Sequence, residues 1–182
     1  MHHLPNIISF LRIILVAPIV WALLNNQYDL AVILFVIAGI SDGVDGYLAK
    51  RFDWTSRFGG VLDAIADKLL LVSTFICLWL LAVFPLWLVA LIIIRDVLIV
   101  GGGVIYNLKV EKFIAEPSVM SKLNTLLQIV LATVGVLSLG LLNVSAVMID
   151  VLSWAVAFTV VLSGFGYANT WGRRVVKREK RV

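Results

Sequence analysis

Six apolar runs, near residues 6–25, 30–50, 60–82, 85–107, 120–141 and 147–170, occupy most of the chain and limit what it can fold into. Each is close to the ~20 residues that carry an α-helix across the hydrocarbon core of a bilayer. In lipid, backbone N–H and C=O groups must pair within their own segment, so runs of this length are expected as helices. Residues that favour turns separate them: Asn25-Asn26-Gln27 after the first run, Phe58-Gly59-Gly60 before the third, Pro85 opening the fourth and Glu116-Pro117-Ser118 before the fifth. The expected fold class is therefore all-α, a polytopic integral membrane protein with six transmembrane helices. Composition agrees, since 62% hydrophobic and 14% charged residues with a mean hydropathy of +1.05 lie outside the range of soluble domains. Little of the 182 residues is left for a soluble module, so a single membrane domain over 1–182 is expected, with 172–182 as a basic tail. The opening MHHLPN has neither a basic n-region nor a small-residue cleavage site, and the first run reads as a retained span.

Lysine and arginine set the expected orientation, because basic residues are retained on the cytoplasmic side. With the N-terminus inside, the cytoplasmic connections carry Lys50, Arg51 and Arg57, then Lys109, Lys112 and Lys122, then the tail GRRVVKREKRV. The opposite connections, NNQYD, LAVFP and GLLNVS, carry none. Both termini are thus expected in the cytoplasm, at the inner (cytoplasmic) membrane of the cell. A basic tail beside anionic headgroups also accounts for the net charge of +4 without nucleic acid as a partner.

Against this apolar background, the stretch from Ile40 to Leu70 carries four aspartates. Asp42 and Asp45 are three apart near the cytoplasmic end of the second span, and Asp63 and Asp67 are four apart near the cytoplasmic start of the third. Each spacing puts a pair on one helical face. Joined by a short connection, the two pairs can meet across one cavity, where four carboxylates repel unless protons or cations relieve them. Hard oxygen ligands suit Mg²⁺ or Mn²⁺, and a pair of ions about 4 Å apart suits four carboxylates better than one. The alternative, that the aspartates cap helices or snorkel to the interface, explains any one of them better than all four in register. Gly43, Gly46, Gly59 and Gly60 beside them leave backbone open to a bulky ligand, or serve close helix packing.

The run Asp42-x2-Asp45-Gly46-x2-Ala49-Lys50-x8-Gly59-x3-Asp63-x3-Asp67 closely resembles the D-x2-D-G-x2-A-R-x8-G-x3-D-x3-D pattern of the CDP-alcohol phosphatidyltransferase family. Lys50 departs from it by replacing arginine, with Arg51 next to it, so a point charge stands where a bidentate grip on phosphate is usual. LPNIISFLRI, IRDVLIV and SKLNTLLQ extend the resemblance along the chain. It implies a six-helix, usually homodimeric membrane enzyme that transfers a phosphatidyl group from CDP-diacylglycerol to an alcohol and releases CMP, in phospholipid biosynthesis. On matching positions, Asp42, Asp45, Asp63 and Asp67 are the implied metal ligands, with Asp67 also the general base. Asn6, Ser9, Gly46, Lys50 and Ser56 are the implied holders of the donor's cytidine and diphosphate.

Other charges divide between site and scaffold. Arg95 and Asp96 fall near the middle of the fourth run, where an unpaired charge is costly. Arg95 is expected to line the acceptor pocket, with a structural pair as the alternative. Arg12 can either snorkel to the cytoplasmic surface or turn into the pocket. Lys122 is available to an anionic acceptor, and Asn124 stands where phosphatidylglycerophosphate synthases of the family often carry a second lysine. A neutral residue there favours phosphatidylglycerol over the dianion glycerol 3-phosphate. The resemblance thus implies cardiolipin formation, with phosphatidylglycerophosphate formation as the alternative. A cation-coupled transporter is the remote alternative, lacking an inverted repeat or broken helices.

Overall fold

The computed structural model describes the backbone of residues 4–51, 57–109 and 119–179, and the side chains of 7–44, 51, 59–99, 101 and 119–164. They form six helices: α1 (Leu4–Leu24), α2 (Tyr28–Arg51), α3 (Arg57–Leu80), α4 (Leu86–Lys109), α5 (Val119–Leu139) and α6 (Ala146–Glu179). No strand occurs among the described residues. Three windows are long and apolar enough to cross a membrane, Ile7–Leu24, Val119–Leu139 and Ala146–Gly164. Helices α2, α3 and α4 carry more charge but have 24 residues each, about 36 Å at 1.5 Å per residue.

Two boundaries differ from the sequence reading. Phe58, Gly59 and Gly60 fall in the first turn of α3 instead of in a break before it; the glycine penalty applies most fully to a helix interior. Helix α6 continues past residue 170 to Glu179, through Arg173, Arg174, Lys177 and Arg178. Long straight side chains favour helix, and cations suit its C-terminal end, so the helix outlasts its apolar stretch.

The chain divides into two compact units, Met1–Phe84 with Ala132–Ser145, and Pro85–Leu131 with Ala146–Val182. In the first unit α1 packs against both α2 and α3. Its inward stripe is Ser9, Arg12, Ile19 and Leu23, while Ile7, Phe10, Leu11, Ile14 and Trp21 face outward as a lipid-facing surface would. Buried Ala22, Ala31, Ala38 and Ala66 let the helices approach closely, the packing that matters where no hydrophobic effect draws helices together. Phe75 and Phe84 stack at 5.4 Å between centroids. Gly135 is buried against them: a Cβ there would lie 2.6 Å from Phe84 Cζ and 2.9 Å from Leu78 Cδ1.

Two turns of this unit use a left-handed residue. After α1, Asn26 has φ 59°, and Gln27 N–H donates to Ala22 C=O at 2.9 Å. After α3, Ala82 has φ 58°, and Val83 N–H donates to Leu78 C=O at 2.8 Å. This i to i−5 bond satisfies a carbonyl left over at the helix end and reverses the chain.

In the second unit α4 packs against α6. Leu88, Val89, Ile92, Val156, Ala157 and Val160 are buried, and Trp87 lies 5.0 Å from Trp154. Arg95, Asp96, Asn124, Gln128, Ser153, Thr159 and Ser163 form a buried polar set within it.

Candidate active site

The carboxylates extend the inward stripes of their helices. On α2, buried Ala31, Phe35 and Ala38 lead to Asp42; on α3, Asp63 and Asp67 lead into buried Leu70, Thr74 and Leu78. The helical period that buries the apolar residues therefore turns the aspartates to the same side. Carboxylate oxygens of Asp42, Asp63 and Asp67 all lie within 4.8 Å of one another. Their side chains are 40%, 40% and 41% exposed, so a cation or a headgroup can reach them from outside.

Helix α1 supplies the cation of this cluster. Arg12 is fully buried, and its Nη1 lies 2.8 Å from Asp42 Oδ1 and 3.2 Å from Asp63 Oδ1, and also donates to Asp67 Oδ1. Ser9, one turn earlier on the same stripe, donates to Asp63 Oδ1 at 3.4 Å. The sequence left Arg12 between the interface and the pocket; packing of α1 against both α2 and α3 turns it inward. Its spacing from Ser9, Ile19 and Leu23 is the feature that marks it.

The donor set suits a divalent cation. Three hard carboxylates converge on one point, and the point already holds positive charge in Arg12 Nη1. Asp45, Gly46 and Lys50 lie on α2 after Asp42, and Asn6 on α1; the side chains of Asn6, Asp45 and Lys50 and all of Ser56 lie outside the described residues. Arg51, the neighbour able to stand in for Lys50, ends α2 and is exposed. A Cβ added to Gly43 or Gly60 would meet nothing within 4 Å among the described residues, which leaves space beside both glycines.

The acceptor candidates lie in the second unit and do not share a surface. Arg95 is buried and pairs with Asp96 at 2.7 Å; its Nη2 donates to Ser121 Oγ at 2.9 Å and to Ser163 Oγ at 2.7 Å. Asn124 is buried and accepts from Thr159 Oγ1 at 3.0 Å. Lys122 is exposed and lines a groove of about 350 Å³ with Ser121, Thr125, Leu126 and Ile129. Two residues apart on a helix, Lys122 and Asn124 point about 200° apart.

Among the described residues the chain is all-helical, with apolar segments of membrane length and an aspartate cluster that could hold a metal ion, which is the make-up of a membrane protein. A sequence model of the CDP-alcohol phosphatidyltransferase family matches residues 2–163, and the chain belongs to that family. It is 35% identical, over 75% of its length, to a protein of Drosophila melanogaster named probable cardiolipin synthase (CMP-forming). It is 32% identical over 91% of its length to the chloroplastic CDP-diacylglycerol-glycerol-3-phosphate 3-phosphatidyltransferase 1 of Oryza sativa subsp. japonica. A third relative, the CDP-diacylglycerol-glycerol-3-phosphate 3-phosphatidyltransferase of Bacillus subtilis (strain 168), is 32% identical over 94% of this chain. The chain spans about half of the first two relatives, 47% and 56% of their lengths, and 96% of the third.

Proposed function

We propose that this chain transfers a phosphatidyl group from CDP-diacylglycerol to an alcohol, with release of CMP. The convergence of Asp42, Asp63 and Asp67 oxygens within 4.8 Å, half open to the outside, is the observation that carries this reading. Asp42, Asp45, Asp63 and Asp67 would hold two divalent cations, Mg²⁺ or Mn²⁺. When bound, such ions neutralise the diphosphate oxygens and the departing CMP.

The chain's own groups do the rest. The acceptor hydroxyl oxygen forms a bond to the phosphorus that bears the diacylglycerol, and the bond from that phosphorus to the CMP oxygen breaks. The hydroxyl proton goes to Asp67, the deepest of the four along α3. Lys50 and Ser56, with Asn6, Ser9 and Gly46, hold the donor's diphosphate and cytidine. Of the acceptor candidates, Lys122 is the exposed one and would meet the acceptor's phosphate, while Arg95 and Asn124 are buried in the second unit's polar set.

For the acceptor we favour phosphatidylglycerol, which makes the chain a cardiolipin synthase. Among the residues of the second unit whose side chains are described, the cations are Arg95 and Lys122, and Arg95 is paired with Asp96. That supply suits a singly charged phosphodiester better than a dianion. Glycerol 3-phosphate is the second reading, favoured by the Bacillus subtilis relative, of which the chain covers 96%. Residues 1–182 would act as one membrane domain of six spans, as a homodimer, with both termini and the aspartates facing the cytoplasm. The 24-residue lengths of α2, α3 and α4 support the spans, and the basic connections support the orientation. Purified protein given CDP-diacylglycerol and each acceptor separately, with lipids identified by mass spectrometry, decides the acceptor. Cardiolipin from phosphatidylglycerol is the expected product; phosphatidylglycerophosphate without cardiolipin would replace it with the second reading.

A further inference from the structure

We propose that Arg12 is a resident counter-cation that competes with divalent metal for Asp42, Asp63 and Asp67, and that metal displaces it from them. The inference rests on reading the carboxylates as a metal site. Its first support is geometric. A single nitrogen, Nη1, lies 2.8 Å from Asp42 and 3.2 Å from Asp63 and donates to Asp67. That nitrogen carries only two protons, so three carboxylate oxygens cannot each receive one of their own. Among the described residues, three carboxylate oxygens converge on Nη1, as they would converge on a metal ion.

The second support is the direction of approach. Arg12 is completely buried and comes from the packed side of α1, whereas the carboxylates are about 40% exposed. Metal arriving from the open side and guanidinium from the packed side reach for the same lone pairs. A divalent ion at the point where the oxygens converge would sit in direct repulsion with Nη1, so occupancy by one excludes the other. Arg12 offsets part of the repulsion among the three described carboxylates, which keeps the cluster together inside an apolar helix set without metal.

The test is Mn²⁺ binding to the purified full chain without nucleotide or lipid donor, followed by electron paramagnetic resonance of free Mn²⁺. Arg12→Gln should bind Mn²⁺ at least about tenfold more tightly than wild type, because a competing charge is gone. Arg12→Lys, which keeps the charge, should stay near the wild-type affinity. Folded Arg12→Gln with equal or weaker affinity would overturn the proposal, since an arginine that only organises the carboxylates predicts that outcome. Arg12→Lys binding as tightly as Arg12→Gln would overturn it as well. Should Arg12→Gln not fold, the wild-type protein still decides: its Arg12 side-chain ¹⁵N signal, assigned by its loss in Arg12→Lys, must shift on saturation with Mg²⁺. An unmoved signal refutes displacement. Wild-type protein that binds no Mn²⁺ would instead sink the metal site itself, and the competition with it.

Discussion

Replacing Asp67 with asparagine separates the base from the scaffold. The amide has nearly the carboxylate's volume, and Arg12 keeps Asp42 at 2.8 Å and Asp63 at 3.2 Å, so α1 remains tied to α2 and α3. Two electrostatic effects oppose each other. Asp67→Asn loses attraction to Arg12, and it also relieves repulsion from two carboxylates within 4.8 Å, each roughly 3 kcal/mol gross at an effective dielectric of ~20. Folding stability should therefore change little. The chemical step has no such compensation: a positioned base contributes about 10²–10⁴-fold, or roughly 3–5 kcal/mol of barrier. CMP release at saturating Mn²⁺ and donor, alongside donor binding measured on the same preparation, gives both readings. Turnover should fall by at least about a hundredfold with donor affinity nearly unchanged. Retention of more than about a tenth of wild-type turnover would remove Asp67 from the base role.

Asp42→Asn should act on the metal instead, raising the Mn²⁺ concentration needed for half-maximal turnover, with activity recovered at high metal; a loss that no metal concentration restores would count against this. Lys50→Ala should raise the apparent KM for CDP-diacylglycerol while Lys50→Arg is tolerated; an unchanged KM in Lys50→Ala would move the role to Arg51. Gly135→Val should lower the Tm through overpacking worth about 1–3 kcal/mol, because its Cβ would meet buried Phe84 at 2.6 Å and Leu78 at 2.9 Å. An unshifted Tm in Gly135→Val would mean that this contact is looser than described.

The helices and the aspartates were legible in the sequence for one shared reason. A bilayer forces backbone pairing into continuous segments, and the period that buries Ala31, Phe35 and Ala38, or Leu70, Thr74 and Leu78, also carries Asp42, Asp63 and Asp67 inward. Arg12 was not decided there. An arginine within an apolar run can climb to the interface or turn inward, and the choice depends on α1 lying against both α2 and α3, which is nonlocal packing. Lys122 and Asn124 share a motif but not a face: one is exposed and the other bonded to Thr159. A motif match groups residues by position along the chain, and a helix separates them by angle. The end of α6 was hidden because its apolar run stops before its helix does.

The measurement closest to the central claim counts CMP and new lipid in one reaction of purified protein with CDP-diacylglycerol and phosphatidylglycerol, with and without a divalent-cation chelator. One CMP should appear for each cardiolipin formed in Mg²⁺ or Mn²⁺, and neither should appear in the chelator. CMP and lipid formed equally well in the chelator, or absent with every alcohol supplied, would contradict a metal-loaded carboxylate site that transfers phosphatidyl groups.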